Sequence, residues 1–221
     1  QFDKKKDLSK YPRTLKKDLE LLESIGCDIA FIPSVDEMYD QKVESSIFDF
    51  DGLEFKMEGK HRKGHFDGVG TIVKKLLNIV KPTNAYFGEK DFQQLLIIKK
   101  LVHKYMIPVN IIGCEIFREK DGLAMSSRNT RLTKVQRSEA PFIYKTLFKA
   151  KQKFKTHSIS ELTRWVENEF KNNPILTLEY FEIANIKTLK AAKRKSKKSK
   201  YRGFIAVFAG DVRLIDNIAL N

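Results

Sequence analysis

A chain of 221 residues, 42% of them hydrophobic, can bury a real core as one or two domains. Charged residues make up 32% but alternate with apolar positions along most of the chain, which argues against general disorder. The net charge of +14 is concentrated: Lys187 to Arg202 holds nine Lys or Arg in sixteen residues and no acid, leaving +5 for the rest.

That run reads as a solvated loop, because blocks of like charge repel and resist packing. An RNA- or membrane-binding patch is the alternative, although Tyr201 is the only aromatic in the run available for base stacking. No apolar stretch approaches the roughly 18 to 20 residues that span a bilayer, and no signal-peptide pattern opens the chain. Cys27 and Cys114 border apolar segments and read as small buried hydrophobes in a reducing cytosol.

The chain opens on Gln1 with no initiator methionine and reads as cut. Leu15, Leu19, Leu22 and Ile25 recur at helical spacing, with Thr14 as N-cap and Gly26 as the stop. "CDIAFIP" then reads as a buried strand closed by Pro33. The unit recurs: a helix around Val69 to Val80, strand "NAYF", a helix near Phe92 to Tyr105, strand "PVNIIGC". Such alternation predicts an α/β doubly wound parallel sheet, with ligands beyond the carboxyl ends of its strands.

After Phe117 the rhythm changes. A polar loop (Asp121 to Arg131) precedes a long helix from about Thr133 and a second over Ile159 to Lys171; "TLEYFEIA", "GFIAVFAG" and "VRLIDNI" then read as strands. This predicts a doubly wound α/β domain over 1–116 and a smaller α+β domain over 117–221.

Three stretches could carry chemistry. In "FGEKD", a glycine after a buried strand leaves amides near a helix start, and Lys90 adds a cation; phosphate binding and an ordinary helix cap both fit. Gln93 and Gln94 point about 100° apart and cannot both face one ligand. "DGLAMSSRNTRL" offers hydroxyls and the Arg128 guanidinium, suited to a polyphosphate or to a polar interdomain loop. "HRKGHF" places Arg62 and His65 before a helix as a basic segment; no further ligand completes a zinc set.

These stretches, with "DLSKYPRTLKKDLELLESIGCDIAFIPSVDEMY" and "LIDN", resemble the pantothenate synthetase (pantoate–β-alanine ligase) family over nearly the whole chain. The resemblance implies an incomplete Rossmann-like sheet of the nucleotidyltransferase superfamily, which makes 1–116 a partial nucleotide-binding domain, with a C-terminal α+β lid, in a cytoplasmic homodimer. The implied reaction joins pantoate to β-alanine through pantoyl adenylate, using ATP with Mg2+ and releasing pyrophosphate and AMP.

Residue by residue, it puts Gly88, Glu89, Lys90 and Asp91 on the ATP segment, with Lys90 on the phosphates. Met125, Ser126, Ser127 and Arg128 match a second ATP segment like the mobile KMSKS loop of class I aminoacyl-tRNA synthetases. Lys90, Ser126, Ser127 and Arg128 are the implied catalytic groups, and Phe117 touches the adenine through its backbone. Gln94 and Gln1 match the pantoate glutamines, with Gln1 also beside β-alanine; Arg62 and His65 line the cavity, and Asp18 lies near the magnesium. The family's HxGH segment, which holds ATP phosphates, is absent from these 221 residues, so little synthetase activity is expected of this sequence alone. Another nucleotidyltransferase of the superfamily with a different acceptor, or a nucleic-acid module built on 187 to 202, are the alternatives.

Overall fold

The computed structural model describes Tyr11, Pro12 and residues 14 to 39 and 44 to 221; Gln1 lies outside them. Helix α1 (Leu15–Ser24) forms as its spacing predicts and ends at Gly26, whose φ of +75° suits a residue without Cβ. Its apolar stripe is not buried: Leu15 is 51% and Ile25 71% exposed. The expected strand at 27–33 does not form, and Ile29 is 83% exposed. A strand needs a neighbour to take its N–H and C=O groups, and among the described residues none runs beside this segment. Cys27 and Cys114 are free thiols but exposed, which corrects the reading of both as buried hydrophobes. The short helix α2 (Val35–Met38) is closed by a reciprocal capping box between Ser34 and Glu37.

Strand β1 (Asn84–Gly88) and strand β2 (Asn110–Cys114) pair in parallel, Asn84 opposite Asn110 and Gly88 opposite Cys114. Helix α3 (Met57–His61) and helix α4 (His65–Val80) precede them, and helix α5 (Phe92–Lys104) makes the crossover between the strands. Helix α4 starts four residues before the predicted Val69, because Gly64, at φ +75°, turns the chain directly into it. Ile97, Ile98 and Leu101 of α5 pack with Phe48, Phe50, Leu53, Met57, Phe66 and Val69 in one buried cluster. Gly59 of α3 sits so close to the preceding turn that a Cβ would lie 1.7 Å from the Glu54 carbonyl oxygen. Gly59→Ala is therefore expected to cost about 3 kcal/mol or more, a fall in melting temperature of about 10 °C. An unchanged melting temperature would contradict that close approach.

The long helix expected from Thr133 is two helices, α6 (Lys134–Glu139) and α7 (Phe142–Phe154). Pro141 lies between them; it has no N–H to donate and fits only at a helix start. Helix α8 (Ile159–Lys171) matches its predicted span, with Ser158 and Glu161 as its capping box. Strand β3 (Leu176–Asn185), strand β4 (Tyr201–Ala209) and strand β5 (Val212–Ala219) form an antiparallel sheet in the order β3-β4-β5. Side chains alternate across it: Ile205, Val207 and Ala209 of β4 face the core under α7 and α8, while Phe204 joins the cluster of the first half. This sheet therefore lies between two layers, which buries β4 on both faces.

The basic run joins β3 to β4, and the solvated-loop reading holds for only part of it. Leu189 is fully buried, Lys195 donates to the Phe154 carbonyl at 2.7 Å, and Tyr201 and Arg202 belong to β4. Tyr201 is buried, its hydroxyl accepting the Ser196 N–H at 3.0 Å, so it offers no free ring for a nucleobase.

Candidate active site

A cleft of about 320 Å³ opens between the turn after β1 and the antiparallel sheet. Arg62, Lys90, Asp91, Ser126 and Arg128, scattered over the sequence, all line it. A side pocket of about 40 Å³ adjoins it, where Gln94 and His65 meet Lys90 and Arg62.

The turn consists of one 3-10 turn, Glu89–Asp91, feeding α5. Gly88 has an ordinary φ of −67°, so the backbone bend does not require glycine there. A Cβ on it would meet nothing within 4 Å, which leaves its backbone open to close approach from outside. The Lys90 side chain is 18% exposed, with its ammonium 3.8 Å from the Asp91 carboxylate.

The two adjacent glutamines part as the helical angle predicts. Gln93 is buried and committed to the fold: it accepts from the Glu58 N–H at 3.0 Å and donates to the Leu53 and Lys56 carbonyls at 2.8 and 2.9 Å. Gln94 is half-buried and reaches the side pocket. Arg62 Nη1 lies 3.0 Å from His65 Nε2, which ties those two pocket residues together.

The serine–arginine segment folds as a corner. Gly122, at φ +93°, closes a tight hairpin in which the Glu119 N–H meets the Leu123 carbonyl at 2.8 Å. A 3-10 turn, Ser127–Arg131, then starts at Ser126, whose hydroxyl accepts the Arg128 N–H at 3.2 Å. Ser127 Oγ donates to the Tyr11 hydroxyl at 3.2 Å, and Arg128 lies 5.6 Å from the Tyr11 ring centroid. Met125 is exposed, and its N–H binds the Phe117 carbonyl at 2.9 Å; Phe117 is 73% exposed. Asn129, buried in the cleft wall, donates to the Ala124 carbonyl, while its Oδ1 finds no partner among the described residues. A buried orphan acceptor is costly unless a donor arrives.

Sequence reasoning missed the charged network across the cleft. Arg213 of β5 grips Glu58 of α3 through two hydrogen bonds, of 2.7 and 2.8 Å, and holds Glu179 of β3 as well. Tyr180 donates to Glu58 at 2.7 Å, and the His61 ring stacks on Tyr180 at 5.3 Å. Burial alone would raise the Glu58 carboxyl, but the Arg213 fork and the Tyr180 hydroxyl more than offset it and hold it below the usual carboxylate value. Burial and the Glu58 carboxylate together push the Tyr180 hydroxyl up. In sequence these residues are isolated polar positions, and only pairing across 34 to 155 positions reveals them. A second fork, Arg118 on the buried Asp216 at 2.7 and 3.0 Å, fixes the hairpin to β5. Burial raises the Asp216 carboxyl even against that guanidinium.

Asp18 stands on exposed helix α1, accepting the Thr14 hydroxyl at 3.1 Å, and does not line the cleft. Among the described residues no cluster of three or more His, Cys, Asp or Glu side chains could hold a metal ion. No helix among them is long and apolar enough to cross a membrane.

Residues 1–219 match the family model described as pantoate-beta-alanine ligase. The pantothenate synthetase of Flavobacterium psychrophilum is 56% identical over the whole chain, which spans 78% of that protein. That of Christiangramia forsetii is also 56% identical, with the same coverage. Among solved structures, the pantothenate synthetase from Thermus thermophilus superposes with a TM-score of 0.92 at 36% identity, covering all of this chain and 79% of that one. The pantoate-beta-alanine ligase from Francisella tularensis, complexed with beta-gamma ATP and beta-alanine, gives 0.77 at 34% identity, over 99% of this chain and 75% of that one.

Proposed function

Since the chain belongs to the pantoate-beta-alanine ligase family, we propose that its cleft joins pantoate to β-alanine with ATP as the activating substrate. The pantoate carboxylate attacks the α-phosphorus of ATP, the bond to the β-phosphate breaks, and pyrophosphate leaves. The β-alanine amine then attacks the pantoyl carbonyl, AMP departs as the leaving group, and the amine loses a proton. A carboxylate is a poor acyl donor, so the adenylate supplies the leaving group that amide formation needs.

The observation that carries this reading is the convergence of Lys90 with Ser126 and Arg128 on one cleft. Lys90 and Arg128 would neutralise charge on the phosphates, and the hydroxyls of Ser126 and Ser127 would donate to them. The segment Gly88 to Asp91, its backbone open at Gly88, would receive the nucleotide, with Met125 and the Phe117 backbone toward its adenine. Gln94, with Arg62 and His65, would hold pantoate in the side pocket, where a carboxamide and a guanidinium suit its hydroxyls and carboxylate. Gln1, outside the described residues, keeps its family role beside pantoate and β-alanine.

Asp18, outside the cleft lining, does not fit a magnesium ligand, so no step is routed through the ion. The two-part division at residue 116, which rests on the change of element pattern after Phe117, and the homodimer and cytoplasmic setting, which rest on the family resemblance, are parts of the same proposal.

The test is AMP release measured on this 221-residue sequence and on the same sequence preceded by a relative's HxGH segment. The second is expected to release AMP only with ATP, pantoate and β-alanine together, and the first far less. AMP formation indifferent to pantoate would contradict the reading.

A further inference from the structure

Asn217 of β5 is 1% exposed and makes contacts on both sides of its carboxamide. Its Nδ2 donates to two successive carbonyls of the turn after β1, Glu89 O and Lys90 O, each at 2.9 Å. Its Oδ1 accepts from Arg202 Nη1. The same Arg202 reaches the Glu89 carboxylate with Nη2 at 2.8 Å. The arginine thereby fixes which way the amide faces, because it can only donate and must meet the oxygen. Neighbouring Asp216, clamped by Arg118, accepts the Asn217 N–H at 2.7 Å and pins the backbone behind the amide.

The consequence is geometric. Two consecutive carbonyls held from one side set the orientation of the peptides around Lys90, and with it the direction in which the Lys90 side chain leaves the turn. The clamp comes from the last strand of the chain, more than a hundred residues away. We propose that Asn217 is a positioning residue: it aims Lys90 at the cleft and so couples the antiparallel sheet to nucleotide binding. This rests on the reading of Lys90 as an ATP-binding cation. Asparagine suits the position where aspartate does not, since a carboxylate would set oxygen against two carbonyl oxygens.

The experiment is a double-substitution cycle on ATP affinity in the full chain, read by titration calorimetry with cooperative thermal melting as the folding check. Lys90→Ala, Asn217→Ser and the double variant are compared with the unsubstituted protein. Serine is neutral and too short to reach both carbonyls, so Asn217→Ser is expected to weaken ATP binding about tenfold. In the Lys90→Ala background the same change is expected to shift affinity less than about twofold, since the group it aims is gone.

An equal loss in both backgrounds, or no loss from Asn217→Ser while Lys90→Ala weakens ATP, would make Asn217 a merely structural residue and overturn the inference alone. No loss from Lys90→Ala would instead overturn the reading of Lys90, and the inference with it. If Asn217→Ser loses its cooperative melting transition, Asn217→Gln, neutral and still a carboxamide but displaced by one methylene from both carbonyls, goes through the same cycle with the same criteria.

Discussion

Lys90→Ala is expected to weaken ATP binding by about ten- to a hundredfold, the range set by losing one charge-assisted contact to a phosphate. The expectation follows from where the ammonium sits. Its side chain is four-fifths covered, so a phosphate in the cleft would meet it with little intervening water. Asp91, 3.8 Å away, is exposed and a weak competitor for it. The loss should shrink as salt is raised far less than for a surface lysine. Isothermal titration at low and high ionic strength measures both quantities. An affinity unchanged by the substitution would remove Lys90 from the site.

Glu58→Ala should produce the largest loss of stability, about 3 to 5 kcal/mol, because it leaves the Arg213 guanidinium without the carboxylate that takes two of its bonds. Glu179 remains as a partner for Arg213 but accepts along other edges of the fork. Both partners of the broken pair are well covered, with side chains 13% and 20% exposed, so solvent screens the pair little.

The pH dependence has a definite sign. The Glu58 carboxyl is held below its usual 4.5 in the folded protein, so its contribution is present above that pH and is lost as pH falls through the lowered value. The gap in melting temperature between the parent and Glu58→Gln should therefore be widest near neutral pH and narrow well below 4.5. A gap that stays constant into acid would contradict the ionised pair.

How much of this was legible beforehand depends on the range of the interactions involved. Helix α8 was readable because the apolar spacing that defines it lies within its own thirteen residues. The parallel pair and its crossover helix were readable for the same reason: Gly88 and the stripe from Leu95 to Leu101 are local marks. The segment at 27–33 misled because an apolar run says only that a strand would be favoured if a partner lay beside it. The break at Pro141 was a local signal that the helical spacing on either side masked.

The site divides in the same way. Lys90, Gln94, Ser126 and Arg128 stand in recognisable motifs, and the fold brings them to one cleft and its side pocket. Glu58 and Arg213 stand in no motif, and although Asn217 ends "LIDN", nothing in that motif says what it holds. Glu58 meets Arg213, and Asn217 meets the Glu89 and Lys90 carbonyls, across more than a hundred positions, and only the docking of the antiparallel sheet on the first half brings them together. Gln93 and Gln94 look alike in sequence, yet one is held by three hydrogen bonds inside the fold and the other faces the pocket.

The central claim is that ATP lies between the turn at Lys90 and the corner at Ser126 to Arg128. A crystal structure with a non-hydrolysable ATP analogue tests it most directly. The triphosphate is predicted within hydrogen-bonding distance of the Lys90 ammonium and of the serine hydroxyls or the Arg128 guanidinium; a triphosphate seated away from both segments would contradict it.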